Sequence, residues 1–256
     1  MRTIQPSTRF AMCLVLVLGF GLWSLAAPPE SPKVSQIASA KRLQEESARL
    51  LSAIENTMSD EANYKDLAGQ VSRDSSTLAV LALALGLHDE ENAWKKTAPG
   101  IVPAAAALAD VDNDYAAAQA AFAKLQAAIK TPAEAEALEW KNVTVLTNLM
   151  KQSTSLYNRM KRSMSASRFS KRTDDNAGAA AALAVIGQIT LHDTDYVSTD
   201  AEIALWQKQS TDWRTAASSL LRAIEAQDLK AANSAMTLLD RSCTECHQAL
   251  KLDIKE

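Results

Sequence analysis

The chain is expected to be all-α, two four-helix up-down bundles in tandem behind an N-terminal signal segment, and three observations carry that expectation. Only seven Gly and seven Pro punctuate its 256 residues, while Ala, Leu, Glu, Lys and Gln, which lose least on entering a helix, are abundant. Apolar residues recur at spacings of three and four along several long stretches, the period of one helix face rather than the alternation of a strand. The front half also reads as a worn copy of the back half.

The leading segment has a pattern of its own. Arg2 and Arg9 precede an apolar run from Phe10 to Trp23, followed by the small-residue site Ser24-Leu25-Ala26 and then Pro28, Pro29 and Pro32. That layout is a secretory signal over residues 1–26, which places the rest of the chain in the periplasm or an equivalent exported compartment; left uncleaved, it would be a membrane anchor. Cys13 lies at the front of the apolar run and is lost on cleavage, leaving only Cys243 and Cys246.

Residues 34–131 form the expected first bundle and residues 132–256 the second, with the boundary at Thr131-Pro132. In the second, Val143, Leu146, Met150, Ser153, Tyr157, Met160 and Met164 make one seam. An Ala-rich helix from about Asp175 to His192 follows, with Asp174-Asp175-Asn176 as its start signal. Ile203, Trp206, Ser210, Trp213, Ala217, Leu220 and Ile224 make the third seam. Leu229, Ala232, Met236, Leu239, Cys243, Cys246 and Leu250 make the fourth, so both cysteines are expected to face the core. Asp200 and Asp228 read as N-caps of the last two helices.

The repeat rests on three correspondences. Ala84-Leu85-Gly86-Leu87-His88-Asp89 answers Gln188-Ile189-Thr190-Leu191-His192-Asp193, Trp94 answers Trp206, and Asp114-Tyr115-Ala116-Ala117-Ala118 answers Asp228-Leu229-Lys230-Ala231-Ala232. Two similar Ala-rich amphipathic helices could imitate such a repeat.

The segment that dictates a chemistry is Cys243-Thr244-Glu245-Cys246-His247. In a CxxCH sequence two thiols three positions apart can each form a thioether to a heme vinyl group, and the adjoining imidazole reaches the iron as its proximal ligand. Other readings fit less well. A redox dithiol would open a helix after a strand, whereas this pair closes one. Zinc would need further ligands, and the remaining histidines are His88 and His192 alone. A disulfide between helical residues i and i+3 seldom meets the required geometry. In register, the first half carries Ile129-Lys130-Thr131-Pro132-Ala133 at the motif position and has no thiol or imidazole there.

The terminal CxxCH, the preceding run Ala226-Gln227-Asp228-Leu229-Lys230-Ala231-Ala232 and Trp206 on the third helix together resemble the class II c-type cytochromes, the cytochrome c′ family, over about residues 133–253. The resemblance implies a four-helix bundle with one covalent heme c near the end of its last helix. It also implies a distal residue on the inner face of the first helix, where this chain has Met150. An ordinary core methionine is the plain alternative there, and His192 is a second candidate ligand. Since His88 answers His192 in the half without the motif, a helix-end role for both, capping carbonyls or pairing with Asp89 and Asp193, is the expectation.

Ligation by Met150 would make an outer-sphere electron carrier; an open sixth position would make a protein that binds nitric oxide or carbon monoxide. A third reading is a docking or scaffold protein of a redox complex. Arg159, Lys161, Arg162, Arg168, Lys171 and Arg172 would then steer an acidic redox partner, although a solvated loop accounts for the same charges. The residues of an enzyme are missing: there is no Gly-rich phosphate loop and no ordered Ser, His and Asp. A net charge of −3 without a basic, aromatic-studded helix argues against nucleic acid. Two bundles in one chain suggest a pseudo-dimer, with a homodimer as the other arrangement of paired bundles.

Overall fold

Two helices buried on every side organise the structure, a computed structural model that describes residues 30–133 and 137–251. The segment expected to be a signal lies outside the described residues. Helix α1 spans Val34–Ile37, α2 Ala40–Met58, α3 Glu61–Leu87, α4 Ala98–Ala109 and α5 Tyr115–Lys130. After a long connection come α6 at Leu146–Lys161, a 3₁₀ turn at Ser170–Arg172, α7 at Thr173–Thr190, α8 at Asp200–Glu225 and α9 at Leu229–Leu250. No strand occurs among the described residues, and no helix there is long and apolar enough to cross a membrane.

Every residue of α3 from Asp74 to Leu85 is buried, as is every residue of α7 from Asn176 to Thr190. Both stretches are rich in Ala, Leu and Val, and a helix that is apolar all round finds no water-facing side to keep. Consecutive helices α2 to α5 pack against one another in order, as do α6 to α9. The two sets meet where α2 and α3 pack on α6 and α7, so the apolar core runs without a break through both. Polar contacts bind the same junction: the Gln152 amide donates to Asp74 Oδ1 at 2.8 Å, Asn148 donates to Ser76 Oγ at 3.1 Å, and Arg42 pairs with Glu225 and Asp174.

The helix ends follow local chemistry. Ser39, Asp60, Asp114 and Asp228 cap α2, α3, α5 and α9 with their side-chain oxygens. For α8 the cap is Thr199 rather than Asp200, because Glu202 closes a reciprocal capping box with Thr199 and Asp200 becomes the first helical residue. Helix α7 likewise begins at Thr173, before the expected aspartates, and α6 is shorter than its seam, leaving Val143 and Met164 outside it. Between α8 and α9, Gln227 adopts a left-handed φ of 57°, and the amides of Gln227 and Asp228 return to Ile224 and Ala223. This Schellman turn reverses the chain within three residues and brings α9 back along α8.

Candidate functional site

Helix α9 carries Cys243, Cys246 and His247 along one side near its end, and α6 presents Met150 from its first turns. All four border one cavity of about 440 Å³. Its remaining walls come from Leu146 and Thr147 of α6, Thr190 at the end of α7, Tyr196, and Trp206, Gln209, Ser210 and Trp213 of α8. The volume is within the range of roughly 300–1,000 Å³ typical of small-molecule and cofactor sites.

Trp206 is fixed at the base of this space. It is 2% exposed, its indole N–H donates to the Thr190 carbonyl at 2.6 Å, and Tyr196 stacks on it with ring centroids 6.1 Å apart. Trp213 and Gln209 differ, for the Trp213 Nε1 and the Gln209 Oε1 are buried without a hydrogen-bond partner among the described residues. One donor and one acceptor in the wall of an otherwise apolar space fit a ligand that is mostly apolar with polar groups at its edge.

The cysteines are free thiols and half-buried; both line the cavity, and Cys246 also packs against the apolar core as expected. Burial, reinforced by the Asp240 carboxylate and by Cys246, pushes the Cys243 thiol up to about 11; burial does the same to Cys246. A dithiol that works by exchange needs a depressed pKa, so this environment is opposite to that of a redox-active CxxC. His247 is exposed at the rim, close to Lys251, which also borders the cavity. No group of three or more His, Cys, Asp and Glu side chains placed to hold a metal ion occurs among the described residues. A protein-only zinc cage is therefore not built here, whereas a porphyrin, which brings four nitrogens of its own, asks the chain only for axial groups.

The two remaining histidines lie away from this space. His88 is buried and bonds to the Ala38 carbonyl through Nε2 at 3.1 Å, while its Nδ1 accepts from the Glu90 amide. His192 meets Ser31 and Gln188 through Nε2 and stacks on Trp140. Both stand at helix ends; His88 Nδ1 lies 4.0 Å from Asp89 Oδ1, in line with the expected pairing, although Asp89 also accepts from Ser35, whereas no contact joins His192 to Asp193, whose Oδ1 has no partner among the described residues. Of the two candidates for a sixth ligand, Met150 borders the cavity and His192 does not.

Sequence reasoning had no place for Gln209 or for the free indole N–H of Trp213. Their signal was present in the spacing Trp206, Gln209, Ser210, Trp213, which puts polar groups on the apolar stripe of α8. Comparison with protein-family models, curated proteins and solved structures found no match to this chain.

Proposed function

We propose that this chain is an exported c-type cytochrome that holds one heme c in the cavity between α6, α8 and α9 and serves as an electron carrier rather than an enzyme. The observation that carries the reading is the meeting of Met150 with Cys243, Cys246 and His247 around one apolar space, from positions far apart in the sequence. In this reading the two sets of packed helices are tandem four-helix bundles, a pseudo-dimer within one chain. The second resembles cytochrome c′, and the first lacks an attachment site.

When bound, the heme supplies a one-electron couple between ferric and ferrous iron. Cys243 and Cys246 would anchor it covalently through their sulfurs, and their protonated, half-buried state keeps them from stray disulfide exchange. His247 would offer an imidazole from α9 and Met150 a thioether sulfur from α6, and ligation by both would raise the reduction potential. Leu146, Trp206 and Trp213 exclude water and lower the local dielectric, which adjusts the potential further. Lys251, at the border of the cavity, would offer the porphyrin carboxylates a cation. Redox partner proteins approach at the His247 rim.

The test is an optical spectrum and an intact mass of protein matured in an envelope competent for heme attachment. A mass increase of one heme and a sharp low-spin reduced spectrum, indifferent to carbon monoxide, are expected. Met150→Ala should convert that spectrum to a high-spin form that shifts on adding the gas. No mass increase would overturn the heme reading, and an immediate response of the unaltered protein to carbon monoxide would make it a gas binder instead.

A further inference from the structure

At the other end of α6, roughly 13 Å along its axis from Met150 at 1.5 Å per residue, a second cavity of about 470 Å³ opens between the α6–α7 connection and the start of α7. Five cationic side chains border it, Arg159, Arg162, Arg168, Lys171 and Arg172, against the single carboxylate of Asp175. That carboxylate is already taken, since Arg172 Nη1 holds Asp175 Oδ2 at 2.9 Å. Arg168 folds the connection into place by donating to the Arg162 carbonyl at 3.1 Å.

Two residues in this wall, the half-buried Arg159 and the buried Asn176, hold donors without partners among the described residues. Arg159 Nε and Nη2 are both out of contact with solvent and have no hydrogen-bond partner among the described residues. Asn176 is 2% exposed; its Oδ1 accepts from Ser163 Oγ at 2.8 Å, and its Nδ2 has no partner there. Leaving a guanidinium in this state is costly, because a buried charge needs both an opposite charge and hydrogen bonds. Burial lowers the Arg159 pKa and the nearby Arg49 adds to the penalty, which the carboxylates of Glu46, Asp175 and Asp74 offset only in part. The α7 N-terminus contributes a partial positive charge to the same space.

We propose that this cavity binds a small organic phosphate, whose oxyanion meets the cationic side chains at its border and draws the unpaired donors of Arg159 and Asn176 onto it. A phosphate group accepts several N–H bonds at once and matches the planar fork of arginine. Its organic part accounts for the size: a single tetrahedral oxyanion displaces only a few water volumes of about 30 Å³ each, well short of the space available. The site is separate from the cavity bordered by the cysteines, so its occupancy and heme attachment can be tested independently.

Isothermal titration of the full-length protein with inorganic phosphate, glycerol 3-phosphate and acetate, at constant ionic strength, tests the proposal. Saturable one-to-one binding of glycerol 3-phosphate, tighter than that of inorganic phosphate and without measurable acetate binding, is expected. Arg159→Gln should weaken it by about tenfold, the loss of one charge-assisted bond pair. The exposed Lys171→Glu should weaken it by about as much even if the Arg159 variant folds poorly, while Lys124→Glu, the same charge change on an exposed part of α5, should leave it unchanged. Equal losses for Lys171→Glu and Lys124→Glu would reduce the effect to general charge attraction and overturn the site. Acetate binding as well as phosphate would make it a carboxylate site, and tighter inorganic phosphate would overturn the organic ligand.

Discussion

The two thiols of α9 turn a motif into a measurable property. Each has a folded-state pKa of about 11, above its ordinary 9.0, so the folded chain favours the protonated form. A raised folded pKa gives stability that is complete below the unfolded value and lost as pH climbs through the folded one. Heme-free protein should therefore lose stability between about pH 9 and 11 relative to a Cys243→Ser/Cys246→Ser variant, with denaturant midpoints at both pH values as the measurement. If heme is attached as proposed, protein with both sulfurs in thioethers should show no such excess loss. The same reasoning applies to Asp74. Burial raises its pKa, against the lowering influence of Arg49 and of the amides of Gln152 and Gln70, so ionisation costs stability as pH rises above the ordinary 3.8. Asp74→Asn is expected to raise the melting temperature at pH 8 and to do so much less at pH 4. A gain that did not depend on pH would locate the effect in packing instead.

Helices were legible in the sequence where one face is apolar and the other wet. The seam Trp206, Ser210, Trp213, Ala217, Leu220 and Ile224 is buried in α8, and Ala232, Met236 and Leu239 are buried in α9. Where a helix is buried all round there is no stripe to read, so neither the centrality of α3 and α7 nor their joint packing could be deduced from period alone. The candidate site was legible through CxxCH, a spacing that the proposed covalent attachment would require. Arg159 was not, because its charge reads as loop solvation until the fold shows its Nε and Nη2 buried without partners among the described residues. Close approach is equally hidden in sequence. Gly187 lets α7 lie on α8 so tightly that a Cβ there would come within 2.8 Å of the Arg214 backbone nitrogen. Backbone cannot step aside as a flexible side chain can, so Gly187→Ala should destabilise the protein by about 1–3 kcal/mol despite the better helix propensity of alanine. Thermal or chemical unfolding would check this; a neutral or stabilised variant would mean that the α7–α8 spacing relaxes freely.

At the scale of the molecule, the question is whether two similar halves fold as two units or one. An internal repeat suggests independent bundles, each with its own core. The packing of α2 and α3 on α6 and α7 argues otherwise, because the helix each half buries most deeply is covered partly by the other half. Removing one half would expose apolar surface on α3 or α7, and it would strip Asp74 of Gln152 and Ser76 of Asn148. Buried polar groups left without partners cost about 1–3 kcal/mol each, on top of the apolar area returned to water. The halves should therefore open together. Native-state hydrogen exchange on the full chain is expected to give the slowest amides of α3, between Asp74 and Leu85, and of α7, between Asn176 and Thr190, the same opening free energy with the same denaturant dependence. Amides of α5, which packs mainly on α4, should open at lower cost. If α3 instead exchanged through an opening that left α7 protected, the first half would be a separately folding domain and its contact with the second a docking surface.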